Sequence, residues 1–342
     1  MKKSLITLAI AAAVAVPMTV SAAEAKFFGY SQITAAVGKG AEGNDDNDGL
    51  RFGADRIRMG YKIKQGNAWG KLQVDFNKTD NASPIGVDEI IKDAVVGYKF
   101  NDAANVMAGV FKTPVGMDFN TSGKGLDITK RGMEKKLVLE RAAGLMVSGR
   151  NISGFGYDIG VFNPTQRSSA VDFGGAGDAM AYAGRVMYDM GDSLHVEASY
   201  GTSTQDDSAP AGAEDYTVFD VAGSYKWNAM TLKAEYIAGS NVNGVKDADE
   251  SVWYLHGGYA FNDTFEGVVR YYSATQDRPG GGDSTLGNAY LGTNIYLAEK
   301  NNARIQLNYV LASGDTDGAD AYNGAATGYT DDIFLAQFQV GF

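Results

Sequence analysis

Two stretches of this sequence gather cationic side chains at spacings that could act together. In the first, Arg56, Arg58, Lys62 and Lys64 alternate with Ile57, Met59, Tyr61 and Ile63. An extended chain would carry the basic groups on one face and the apolar ones on the other. Lys71 continues the pattern opposite Leu72 and Val74. In the second, 113–140 with its borders, Lys112, Lys124, Lys130, Arg131, Lys135, Lys136 and Arg141 outnumber Asp118, Asp127, Glu134 and Glu140. Such groups do no covalent chemistry. They attract anions and replace part of their hydration, most strongly where bulk water is excluded. Nucleophilic or acid–base catalysis finds little to work with: the two histidines, His195 and His256, have no serine motif beside them, and cysteine is absent. The expectation is a protein that is not an enzyme and needs no cofactor.

The elements that would position these cations follow from patterning. Lys2 and Lys3 precede an apolar run, 5–20, closed by Ser21, Ala22 and Ala23. This is the pattern of a secretory signal peptide over 1–23, with cleavage expected after Ala23, or alternatively after Ala25. Pro17 interrupts the run, which is also short of the roughly 20 residues a spanning helix needs. No later stretch approaches the ~18 consecutive apolar residues of a helical span. A membrane-resident mature chain, 24–342, would therefore have to be a single closed barrel, since only helices and closed barrels satisfy the backbone in lipid.

About sixteen segments of alternating character, each near the ~10 residues of a tilted transmembrane strand, fill that chain. They run from 27–37, 56–64 and 69–77 to 303–311 and 333–342. Short and long connections between them alternate without a break. Seven turns on one rim and eight loops on the other are what an up-and-down barrel with both termini in the periplasm requires. Trp69, Phe100, Phe155, Tyr188, Trp227, Phe261, Tyr296 and Phe342 border the turns or the chain end, as an interfacial aromatic girdle would. The fold class expected is all-β: a transmembrane antiparallel barrel of sixteen strands in the outer membrane of a Gram-negative cell, in contact with its lipid and lipopolysaccharide.

Placing a Lys or Arg on the lipid face costs about 2–4 kcal/mol at the bilayer midplane. The basic stripe must then line the lumen, as must Gln73, Asp75, Arg304, Gln306 and Asn308. Sorting every strand this way gives a net positive wall. The formal net charge is nevertheless −11, about −13 without Lys2 and Lys3, which argues against nucleic acid as a partner. The negative charge gathers in long loops, notably 42–48, 206–207, 247–250 and 315–320. Aspartates beside Gly49 and Gly318 could offer oxygens to Ca²⁺. The spacing lacks the closing bidentate glutamate of a calcium loop, so no metal site is assigned.

The lumen of a sixteen-stranded barrel is an aqueous channel, and wall charges are screened over about 8 Å at physiological salt. Selection needs a narrowing. The connection 113–140, the longest between two strands, is the candidate: a third loop folded into the lumen, bringing Lys112, Lys124, Lys130, Arg131 and Lys135 to the basic wall. Preference for small anions is the expected result. Alternatives are a general or cation-selective pore, with acidic outer loops concentrating cations, and a plugged structural or adhesive barrel.

Gly109-Val110-Phe111-Lys112-Thr113-Pro114-Val115-Gly116 resembles the Gly-x-Phe-Lys-x-Pro entry to the constricting loop of the phosphate-selective porins of the O and P type. The resemblance continues through Glu140-Arg141, Gly144-Leu145-Met146-Val147-Ser148-Gly149 and Tyr157-Asp158-Ile159-Gly160-Val161-Phe162-Asn163. It implies a homotrimer of sixteen-stranded barrels, each narrowed by its third loop, with lysines and arginines guiding anions such as phosphate. Phe342 is similar to the C-terminal aromatic signal read by the outer-membrane assembly machinery. The loop departs from the family in lacking a short, lysine-dense cluster.

Overall fold

The computed structural model describes residues 24–39, 49–77, 90–165, 178–207, 209–277, 279, 282–299, 301–315 and 321–342. The expected signal peptide, the acidic stretches 42–48 and 316–320, and Gly280 and Gly281 lie outside the described residues.

Sixteen strands follow in order: β1 (Glu24–Val37), β2 (Leu50–Gln65), β3 (Ala68–Asp75), β4 (Ile91–Asn101), β5 (Ala104–Lys112), β6 (Arg141–Ile152), β7 (Phe155–Phe162), β8 (Ala181–Met190), β9 (Leu194–Ser203), β10 (Tyr216–Trp227), β11 (Met230–Ser240), β12 (Asp249–Ala260), β13 (Phe265–Asp277), β14 (Ser284–Tyr296), β15 (Ala303–Gly314) and β16 (Ile333–Gly341). Each pairs antiparallel with its sequence neighbours, and β1 pairs with β16 from Tyr30 opposite Gly341 to Val37 opposite Phe334, closing the barrel. Closure leaves no strand edge with unpaired backbone groups, the condition for residence in lipid.

The short connections are made by residues that tolerate left-handed backbone. Gly66, Asn151, Gly191, Asn228 and Asn301 all have positive φ, the conformation that tight hairpin turns demand. Along stretches of many strands, exposed apolar residues alternate with buried polar ones. In β16, Phe334, Phe338 and Val340 are exposed while Gln337 and Gln339 are buried; in β15, Arg304, Gln306 and Asn308 are buried. The inversion of an ordinary soluble core, with apolar groups outside and amides and charges within, is the signature of a barrel that meets lipid on its outer face.

Two aromatics expected in the girdle point inward instead. Trp69 shares the parity of Lys71, Gln73 and Asp75, and its indole Nε1 donates to Asn105 Oδ1 at 2.8 Å. Tyr296 sits opposite Arg304 and donates to Glu266 Oε2 at 2.6 Å. Closeness to a turn places a residue at the rim, but strand parity decides which face it takes. Phe100, Phe155, Trp227, Phe261 and Phe342 are exposed.

Candidate functional site in the barrel interior

The connection 113–140 contains a four-residue helix, α1 (Met117–Asn120), and two single turns of 3₁₀ helix. Gly116 enters α1 at φ +81, and a side chain there would press on Val138; glycine is needed where the chain turns inward. The Thr113 hydroxyl donates to the Leu139 carbonyl, tying the two ends together. From this base the segment meets the polar faces of strands far from β5 and β6.

Along 123–129 the backbone is satisfied by a ladder of side-chain amides. Gln32 Nε2 donates to the Gly123 carbonyl at 3.0 Å, Gln339 Nε2 to Lys124 O at 3.2 Å, Gln306 Nε2 to Leu126 O at 3.2 Å and Asn294 Nδ2 to Asp127 O at 3.1 Å. The Thr129 amide donates to Asn308 Oδ1 at 2.9 Å, and Gln337 Nε2 to the Thr129 carbonyl at 3.0 Å. A segment without its own regular structure would otherwise leave buried backbone groups unpaired.

Charged anchors accompany these amides, among them Arg304, whose Nη2 donates to Lys124 O at 3.0 Å. Arg270, wholly buried, donates to Asp118 Oδ2 and Asp127 Oδ2, each at 2.9 Å, and lies over the Tyr254 ring at 4.3 Å. Lys233 adds a 2.6 Å bond to Asp127. Burial would raise the Asp127 carboxyl, but Lys233 and then Arg270 hold it well below the usual carboxylate range. Among the described residues Glu134 has no such cation in contact. Burial, with Asp118 nearby, pushes its carboxyl up to about 7.

The cations of the sequence reading separate into two groups. Arg58, Lys62, Lys71, Lys112 and Lys124 line one cavity of about 750 Å³, joined there by Lys26 and Arg141. Asp93 is the sole acidic side chain in that lining among the described residues, and it is engaged by Lys71 and by Arg141 Nε at 3.1 Å. Arg58 donates to Asp75 at 2.7 Å. Lys112 and Lys124 reach neutral oxygens, the former those of Phe119 and Thr121, the latter that of Asn302. Among the described residues neither Lys26 nor Lys62 has a carboxylate partner.

The remaining five candidates are placed elsewhere. Arg56 donates to Gln32 Oε1 at 2.6 Å, behind Gly123. Lys64 is exposed near the end of β2, opposite Glu24. Lys130 pairs with Asp55 at 3.2 Å and Lys135 with Glu140 at 3.1 Å. Arg131 donates to the carbonyls of Asp118 and Thr121, bracing α1. Sequence reasoning missed Lys26 because β1 begins at Glu24 rather than Phe27; its alternation with Phe28 and Tyr30 was the available signal. It also missed Asp55 and Asp158 on the inner face. Asp158 is clasped by Arg150 at 2.8 Å and Arg185 at 2.7 Å.

A second cavity, about 350 Å³, lies beyond Asn120, which lines both. Its charges are mixed: Arg150, Arg185 and Lys233 against Asp118 and Glu197. His195 sits between Asp189 Oδ1 at 2.7 Å and Glu197 Oε2 at 2.8 Å. His256 is buried beside Arg270, whose Nε lies 3.3 Å from His256 Nδ1.

A closed antiparallel barrel, apolar outside and charged within, defines an outer-membrane channel of the porin class, whose setting is the Gram-negative outer membrane. The family described as phosphate-selective porin O and P matches residues 30–216, more than half of the chain, and this chain belongs to that family. Among solved structures, an anion-selective porin from Comamonas acidovorans is similar at 17% identity with TM-score 0.68, covering 94% of this chain and 100% of its own. OmpT of Vibrio cholerae in its trimer form is 15% identical with TM-score 0.64, over 94% of this chain and 100% of its own. The outer membrane channel DcaP of Acinetobacter baumannii is 13% identical with TM-score 0.66, over 95% and 99%. These likenesses establish the fold. A search of curated proteins finds no significant match.

Proposed function

We propose that this chain forms a water-filled diffusion pore that prefers small anions, with the basic cavity between β1–β6 and the segment 113–140 as its selective part and that segment as its constriction. The observation that carries the reading is the imbalance of that cavity: seven cationic side chains and one acidic side chain, Asp93, line it together with the terminal residue Phe342. Four of the cations, Lys26, Lys62, Lys112 and Lys124, have no carboxylate partner among the described residues, so their field reaches a passing solute rather than being cancelled in the wall. Phosphate or a related oxyanion is the family's solute by name, and the Comamonas porin is described as anion-selective; both support the reading. The trimer form of the Vibrio protein supports assembly as a homotrimer. In this reading residues 1–23 direct export, and Phe342 is presented to the assembly machinery.

The zero-current potential across a planar bilayer under a KCl gradient tests the proposal. The expected sign is anion-selective, and changing Lys62, Lys71 and Lys124 together to Gln should bring it toward zero. A cation-selective potential in the unmodified protein would overturn the reading and assign control to the acids of the opposite wall, Glu197, Asp220 and Glu235.

A further inference from the structure

The basic cavity has a second character that electrostatics does not account for: part of its inner wall is apolar. Strand register puts Trp69 opposite Gly97, Gly97 opposite Met107, and Met107 opposite Met146. These side chains form a row across β3–β6, on the face where neighbouring positions carry Lys71, Asp93 and Asn105. Trp69 lies flat against the wall. A Cβ added to Gly97 would meet its indole at 2.4 Å, and the bond from Nε1 to Asn105 fixes the ring in place at 2.8 Å. Phe111 and Val95 extend the patch into the same cavity.

Beside it, Lys62 and Lys71 each stand 5.8 Å from the Phe28 ring centroid. Trp69 and Met107 are partly exposed in this patch, with Met146, Phe111 and Val95 buried beside them; apolar residues on the inner wall gain nothing from lipid. They also cannot help an inorganic anion, which has no apolar surface to bury and keeps its charge solvated away from them.

We propose that this cavity takes small organic anions with a flat apolar body, of the aromatic monocarboxylate class, in preference to small anions of equal charge without one. The inference rests on the anion reading above and names its solute class. The carboxylate would be held by the lysines while the ring lies against Trp69 and the two methionines, whose thioethers contact aromatic rings favourably. The volume, about 750 Å³, falls within the roughly 300–1,000 Å³ of small-molecule sites.

Benzoate and acetate share charge and head group and differ in the ring, so block of the chloride current by each in a planar bilayer isolates the apolar contribution. Half-block by benzoate is expected at a concentration about tenfold lower than by acetate. The double change Met107→Gln and Met146→Gln should bring that ratio close to one, whereas Met107→Leu with Met146→Leu should keep it. The difference in migration between heated and unheated samples on a gel confirms that each variant is folded. Equal potency of the two anions in an anion-selective wild-type pore, or a ratio unmoved by the glutamines, overturns this inference alone. A cation-selective wild-type potential overturns the anion reading and this inference with it.

Discussion

Glu134 carries the least compensated charge of the segment 113–140. It is buried, its carboxyl oxygens accept no hydrogen bond from another described residue, and its carboxyl is pushed up to about 7 by burial and then by Asp118. An acid whose affinity for its proton rises on folding favours the folded state while protonated. Its contribution becomes unfavourable as pH rises from the ordinary value of 4.5 and reaches its full penalty above about 7. Glu134→Gln should therefore be more stable than wild type at pH 8 and nearly equal to it at pH 4. Urea midpoints measured across that range check this, and parallel curves for the two proteins would refute it. A second residue-scale prediction concerns Gly97, whose missing side chain is what lets Trp69 lie flat. Gly97→Val should displace the indole, break its bond to Asn105 and alter tryptophan fluorescence, with a loss of roughly 1–3 kcal/mol from overpacking.

The segment 113–140 is held as an element, and Arg270 joins two of its points, Asp118 and Asp127. Arg270→Ala would take the ion-pair partner from the buried Asp118 and leave Asp127 to Lys233, a change that typically costs about 3–5 kcal/mol. The expected result is a larger and noisier single-channel conductance together with a lower unfolding temperature; unchanged conductance would show that the amide ladder suffices. How this element is seated was partly legible in the sequence. Its length and basic borders stood out, and Gln306, Asn308, Gln337 and Gln339 were readable as polar positions in apolar strands. That they serve as partners for a distant backbone was not, because such pairing depends on tertiary approach and leaves no local pattern. Bulges were equally hidden. The pairing of β1 with β2 shifts between Gln32 and Ile33, so Asp55 joins Arg56 on the inner side, where Gln337 Nε2 donates to it at 2.6 Å. Strict alternation assigns those neighbours to opposite faces.

At the scale of the whole barrel, the strand count, order and inside–outside sorting were legible because lipid enforces a period of two along every strand. The distribution of charge was less so. Summing the inner face gives a net sign, whereas the structure distributes it unevenly: the cations without carboxylate partners line the cavity at β1–β6, and Glu197, Asp220 and Glu235 lie along β9–β11 among Arg185 and Lys233. The outward face supplies a test of the lipid-facing assignment. Leu291, exposed on β14, should tolerate Phe, while Leu291→Arg should lower stability in lipid vesicles by about 2–4 kcal/mol, as measured by denaturant unfolding. A neutral effect would contradict the assignment. The amide ladder beneath the segment 113–140 has a separate implication. Glutamine and asparagine contacts carry no net charge, and the Arg270 pairs that share the work are buried, so dissolved ions weaken neither as they weaken the lysine field. In dilute and in briny surroundings alike, the aperture should keep one mesh size. What concentrated salt would remove is discrimination by charge, leaving a sieve that sorts solutes by bulk.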